Sequence, residues 1–145
     1  AEGHLYMDDG QTFAYRDDQA FLARKFTLTR DGPGHLRLAS TSLTGRDIHT
    51  SASSTALQVP GNVYEQETSS VRVERVIVYG LPEVHRIIAR DAHGHDTSLA
   101  FTYTSGTSRS PTASDASAML ASRLEIRDPR VLIGQDWSIL VETAP

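Results

Sequence analysis

Two groups of side chains in this chain have the chemistry of a site. Asp8 and Asp9 are adjacent carboxylates, and His93-Gly94-His95-Asp96, with His85 nearby, combines imidazoles with a carboxylate. A carboxylate pair flanking a sugar performs glycoside hydrolysis, one as nucleophile and the other as acid/base. Neighbours in an extended strand point to opposite faces, so Asp8 and Asp9 in a strand cannot converge on one bond. Asp9-Gly10 reads instead as a turn, with the Asp side chain bonding backbone N–H groups two residues on. The histidines have zinc-ligand chemistry, but a zinc site needs three or four converging donors, and these sit in a turn without a distant partner. No metal and no cofactor is expected.

Other candidate chemistry is weaker. No serine has the Gly-x-Ser-x-Gly context of a nucleophile elbow, and Val78-Tyr79-Gly80-Leu81 is not one. Gly32-Pro33-Gly34 is a turn, because a phosphate cradle must open a helix and a strand pattern follows here. Tyr6, Tyr15, Tyr64, Tyr79, Tyr103 and Trp137 could build a sugar-stacking platform, although rings in a β fold more often fill the core or strand pairs. That platform would make the chain a free-standing carbohydrate-binding module, the alternative reading.

The elements that must position these residues are strands. Leu5 and Met7 alternate with His4 and Tyr6, and Thr12, Phe13 and Tyr15 restart an extended pattern after Asp9-Gly10, which predicts a tight hairpin. Residues 21–29, Leu36 and Leu38, and the run from Val71 through Tyr79 continue the period-2 pattern, as do 84–89 and the set Leu99, Phe101 and Tyr103. Leu120, Leu124 and Ile126 share one parity, as do Trp137, Ile139 and Val141. Residues 117–127 also fit a short helix, with strand preferred for the second half. Eight or nine short strands separated by turn residues predict an all-β, antiparallel sandwich. Residues 1–145 read as a single domain, with flexible loops expected at 41–62 and 104–117, where Ser, Thr and Gly dominate.

Composition narrows the partners. The net charge of −4 is spread over both signs and leaves no basic stripe, so nucleic acid is not an expected partner. No apolar run approaches a membrane span, and none is expected. The absence of cysteine excludes disulfides without deciding the compartment. Ala1-Glu2-Gly3 stands directly before the first strand pattern, without an initiator Met or a leader, as expected of a mature chain or a fragment.

Four segments carry a resemblance. Gly3-x-Leu5-Tyr6-x-Asp8-Asp9-Gly10-x-Thr12-Phe13-x-Tyr15, Phe21-Leu22-x-Arg24-x-Phe26, Val73-Glu74-Arg75-Val76-Ile77-Val78-Tyr79-Gly80 and Asp136-Trp137-Ser138-Ile139 occur in this order. They resemble the distal C-terminal region of family 31 α-glucosidases, closest to the glucosidase II branch. The resemblance implies a C-terminal β-sandwich of a retaining α-glucosidase that removes α-1,3-linked glucose from N-glycans in the endoplasmic reticulum lumen. It implies partners too: the remainder of the α subunit with its catalytic (β/α)8 barrel, a glucosidase II β subunit, and the glucosylated N-glycan. The N-terminal β domain and the barrel have no counterpart in this chain, so no catalytic residue can be carried over. Asp8, Asp9, Gly10, Tyr15, Glu74, Arg75 and Trp137 are then structural motif residues, and the piece alone is expected to be inactive.

Overall fold

The computed structural model describes residues 1–18, 20–43, 68–106 and 121–144. Nine strands and one helical turn follow in chain order: β1 Glu2–Met7, α1 Ala14–Asp17, β2 Leu22–Arg30, β3 His35–Ser42, β4 Arg75–Tyr79, β5 Val84–Arg90, β6 Asp96–Ser98, β7 Thr102–Thr104, β8 Arg123–Arg127 and β9 Trp137–Thr143. They form two antiparallel sheets, a six-stranded one in the order β1-β2-β3-β9-β5-β6 and a three-stranded one in the order β4-β8-β7. The expected β-sandwich is the architecture found.

Cross-strand register explains the core. Leu28 lies opposite Leu38, Leu38 opposite Ile139, and Ile139 opposite Ala89, so one row of apolar side chains crosses the large sheet on a single face. Val141, flanked by Leu36 and Ile87, makes a second row. From the small sheet Leu124 and Ile126 are buried, and Val76, Val78 and Tyr103 pack against the same cluster. Each buried Leu, Ile or Val contributes about 1.5–3 kcal/mol through removal of apolar surface from water.

The chain changes sheets where its apolar alternation does not. Leu99, Phe101 and Tyr103 share one parity, yet β6 ends at Ser98 in the large sheet and β7 begins at Thr102 in the small one. Leu99 is buried at the crossover and its N–H donates to Ile87 O. Polarity alternation continues through such a bend because both sheets bury toward the same core. The strand expected from Val71 begins only at Arg75. Before it, Arg72 pairs with Leu132 as an isolated bridge.

The tight hairpin at Asp9-Gly10 is a correction. β1 pairs with β2, closing at Met7 opposite Leu22, and residues 8–21 form the connection. Thr12 and Phe13 lie in a bend and Tyr15 is in α1. The side-chain bonding that the sequence predicts for Asp9 is the reason. Asp9 Oδ1 accepts the Gln11 and Thr12 N–H groups, Oδ2 accepts the Thr12 hydroxyl, and Thr12 Oγ1 accepts the Ala14 N–H. These local bonds curl the chain into a helical turn where alternation alone suggests a strand. Of the spans expected as loops at 41–62 and 104–117, Thr41 and Ser42 belong to β3 and Thr104 to β7. Residues 44–67 and 107–120, with Tyr64, Leu120 and the first half of the 117–127 segment, lie outside the described residues; its second half is β8.

The Gly32-Pro33-Gly34 turn joins β2 to β3 as expected. Gly34 has φ +70°, and a Cβ there would stand 2.9 Å from the Thr143 carbonyl oxygen. Gly10 has φ +62° with open space around it. Gly34→Ala should therefore cost more stability than Gly10→Ala. Backbone strain of about 1–3 kcal/mol is common to both, and a backbone clash adds to it only at Gly34. Urea denaturation of the two variants measures the difference; equal losses would contradict the close approach.

Candidate functional site

The motif residues Asp8, Asp9, Gly10, Tyr15, Glu74, Arg75 and Trp137 do not gather at one point. Asp8, Asp9, Gly10 and Tyr15 all belong to the β1–β2 connection. Asp8 Oδ1 accepts the Gly10 N–H at 2.9 Å. Both carboxylates thus lie past the end of β1 and serve backbone turns, which corrects the expectation that one strand separates them by face. Tyr15 is 38% exposed, its ring 6.3 Å from that of Phe13, over which the Arg16 guanidinium sits at 5.5 Å. Exposed Glu74 immediately precedes β4, and its carbonyl accepts the Asp128 N–H at 2.8 Å. Trp137 begins β9, is buried against Phe26, and donates through Nε1 to Leu132 O at 3.1 Å.

Rings divide between core and surface. Trp137 is buried and Tyr103 half-buried, whereas Tyr6, Tyr15 and Tyr79 are exposed, so the core accounts for only part of the aromatic set. Tyr6 stacks on Phe21 with centroids 5.4 Å apart. Tyr79 projects from the other sheet.

The histidine loop is a turn built on Asp91. Its Oδ1 accepts the His93 and His95 N–H groups, both at 2.9 Å, and Oδ2 lies 3.2 Å from His95 Nδ1. Asp96 is held by Arg90 at 2.7 and 2.8 Å. His85 is exposed on β5. Among the described residues no three His, Cys, Asp or Glu side chains are grouped to hold a metal ion.

Two charge clusters escaped the sequence reading as sites. The first is Arg24, fully buried in β2. Its Nε and Nη2 donate to Ser40 Oγ at 3.1 and 3.0 Å, Nη1 to Gly134 O at 3.3 Å, and Nη2 to Asp136 Oδ1 at 2.8 Å. Asp136 Oδ1 also accepts the Ser42 N–H at 2.8 Å. Two of the four motif segments, those of Arg24 and Asp136, therefore meet in one hydrogen-bonded cluster. A signal was present: by alternation Arg24 shares a strand face with Leu22, Phe26 and Leu28.

The second is Glu125, on the outer face of β8 and 6% exposed. Arg123 Nη2 lies 2.7 Å from Oε2, while Arg127 Nε at 2.8 Å and Arg75 Nε at 3.3 Å approach Oε1. The contacts to Oε1 are electrostatic and lack hydrogen-bond alignment. Burial alone would raise the carboxyl pKa. The hydrogen bond from Arg123 and the charges of Arg123, Arg127 and Arg75 outweigh burial and hold it below the ordinary glutamate value. Arg75 thus receives a partner that its motif does not contain.

A cleft of about 260 Å³ lies between the 91–93 turn and residues 130–137, with Arg72 on its wall. Its floor includes Val131 and Trp137, and Arg72, Arg130, His93, Asp91 and Asp136 bring charge or titratable groups to it.

Comparison with known proteins places this architecture. No family model matches the sequence. Neutral alpha-glucosidase AB of Homo sapiens is 24% identical over 139 residues, which is 96% of this chain and 11% of that protein. Among solved structures, the ER glucosidase II heterodimeric complex of the catalytic subunit and the binding domain of the regulatory subunit aligns with a TM-score of 0.64 and 23% identity, covering 97% of this chain and 13% of that one. The glucosidase II α subunit in its Glc1Man2-bound form aligns over the same shares at 23% identity and a TM-score of 0.60. The chain is thus similar to a segment of glucosidase II α subunits and has the fold of that segment, while spanning only about a tenth of their length.

A depressed folded-state pKa adds stability that is fully present above the unfolded value and is lost as pH falls through the folded value. Glu125 follows this sign, as do Asp9, Asp91 and Asp96, whose pKa values are lowered chiefly by hydrogen bonds from Thr12, His95 and Arg90 respectively. Stability should decline on acidification below about pH 4.5, near the unfolded carboxylate values. Glu125→Gln should flatten the decline without abolishing it, read from urea midpoints between pH 3 and pH 7. Equal slopes in the two proteins would contradict the assignment.

Proposed function

We propose that the chain is the distal C-terminal β-sandwich domain of a family 31 retaining α-glucosidase of the glucosidase II type. The observation that carries this reading is the correspondence of nearly the whole chain, in sequence and in fold, to a segment of glucosidase II α subunits. Residues 1–145 form one domain whose task is support. It holds its own core and lends an outer surface to the catalytic barrel, which supplies the nucleophile and the acid/base. The two carboxylates that invite a catalytic reading are committed to turn N–H groups at the end of β1. Asp8, Asp9, Gly10, Tyr15, Glu74, Arg75 and Trp137 are structural motif residues in this reading.

The whole enzyme would trim α-1,3-linked glucose from N-glycans in the endoplasmic reticulum lumen, working with a regulatory β subunit. The solved heterodimer of a relative's catalytic subunit with the binding domain of its regulatory subunit supports that partnership. The alternative, a free-standing carbohydrate-binding module, requires coplanar exposed rings. Phe13 and Tyr15 are inclined 49° to each other and Tyr79 stands on a different sheet, which does not favour it.

The test has two arms. The purified chain should release no glucose from an α-1,3-linked glucose disaccharide. Mixed with a glucosidase II α subunit lacking its corresponding segment, it should bind and raise that protein's thermal midpoint. Hydrolysis by the chain alone would overturn the reading, and so would the absence of any complex.

A further inference from the structure

We infer that the cleft between the 91–93 turn and residues 130–137 binds the oxyanion of a small acid, a carboxylate or a phosphate, between the guanidinium groups of Arg72 and Arg130. The partners of the charged groups in the cleft point there. Its two carboxylates are already engaged. Asp91 accepts the His93 and His95 N–H groups, and Asp136 accepts from buried Arg24 and from the Ser42 N–H. Arg72 and Arg130 have no ion pair and no side-chain hydrogen bond among the described residues. Two uncommitted cations therefore line one concave site in a protein of net charge −4. The forked donors of arginine match carboxylate and phosphate oxygens in pairs.

The surrounding backbone is hydrogen-bonded at Arg72 and packed at Arg130. Arg72 pairs with Leu132, and this bridge is flanked by hydrogen bonds from Val73 N–H to Val131 O at 3.1 Å and from Ile133 N–H to Val71 O at 2.9 Å. Arg130 stands two residues before Leu132, between Pro129 and Val131, both buried. Its φ of +59° is a conformation that glycine adopts freely and a long side chain only at a cost. Strain of this kind persists where surrounding structure enforces it, and it concentrates at ligand clamps. At about 260 Å³ the cleft is smaller than the roughly 300–1,000 Å³ of pockets for drug-sized ligands, so it suits an acidic group or a molecule of sugar size.

The experiment follows backbone amide resonances of the full chain by NMR. Sodium phosphate, sodium glucuronate, neutral glucose and sodium chloride are titrated separately at constant ionic strength. Saturable shifts at Arg72, Val131 and Leu132 with phosphate or glucuronate, and none with glucose or chloride, are expected. The anion that saturates identifies the source as phosphate or carboxylate. Arg130→Gly accepts the positive φ, so it should fold with an unchanged or raised thermal midpoint while binding about tenfold more weakly, the loss of one charge-assisted contact. Arg72→Gln should weaken binding similarly and supplies the same reading if the glycine variant is poorly folded. Shifts that chloride reproduces, saturation by neither anion, or unchanged affinity in both variants would overturn the site.

Discussion

A buried arginine governs how this sandwich is put together. Arg24 occupies a position that by strand alternation belongs to the core, beside Leu22 and Phe26, and it is fully buried. An isolated charge there would cost several kcal/mol. The fold meets that demand by bringing acceptors within reach from elsewhere: Ser40 from β3, the Gly134 and Gln135 carbonyls from the turn before β9, and the Asp136 carboxylate. Asp136 in turn binds the Ser42 N–H at the end of β3. One guanidinium thereby fixes β2, β3 and the entry of β9, and Trp137 follows directly into the core. The apolar rows through Ile139 and Val141 depend on that entry point for their register.

This arrangement accounts for the spacing of the segments that resemble family 31 glycosidases. Phe21-Leu22-x-Arg24-x-Phe26 and Asp136-Trp137-Ser138-Ile139 lie far apart in sequence and form one hydrogen-bonded unit in space. The segment around Arg75 serves the other sheet, where Glu125 draws Arg75, Arg123 and Arg127 together on the outer face. The Asp8-Asp9-Gly10 string belongs to neither. It shapes the long β1–β2 connection, with each carboxylate accepting backbone N–H groups. The residues most suggestive of catalysis are thus occupied structurally.

Much of this was legible in the amino-acid order, and the failures have common physical causes. Strands such as β9 and β5 were readable because one face is buried, and alternation records burial directly. The crossover between β6 and β7 was not, since Leu99 and Tyr103 keep their parity while the backbone passes from one sheet to the other. The helical turn at Ala14–Asp17 was missed because side-chain bonds from Asp9 and Thr12 outweigh the weak extended preference of Phe13 and Tyr15. The charge clusters were hidden for a different reason. Neither Arg24 nor Glu125 names its partners in sequence, and only cross-strand register brings them together. An arginine on an apolar strand face was nevertheless a visible anomaly.

The direct test of this account is a double-mutant cycle on Arg24 and Asp136, with Arg24→Met, Asp136→Asn and the double variant measured by urea denaturation. If the buried guanidinium organises the junction, each single change destabilises the protein. Their coupling should reach about 1–3 kcal/mol, because either change removes the charge-assisted bond between the guanidinium and the carboxylate. Effects that add to within about 0.5 kcal/mol would show that the two side chains act independently and would contradict the central place given to Arg24.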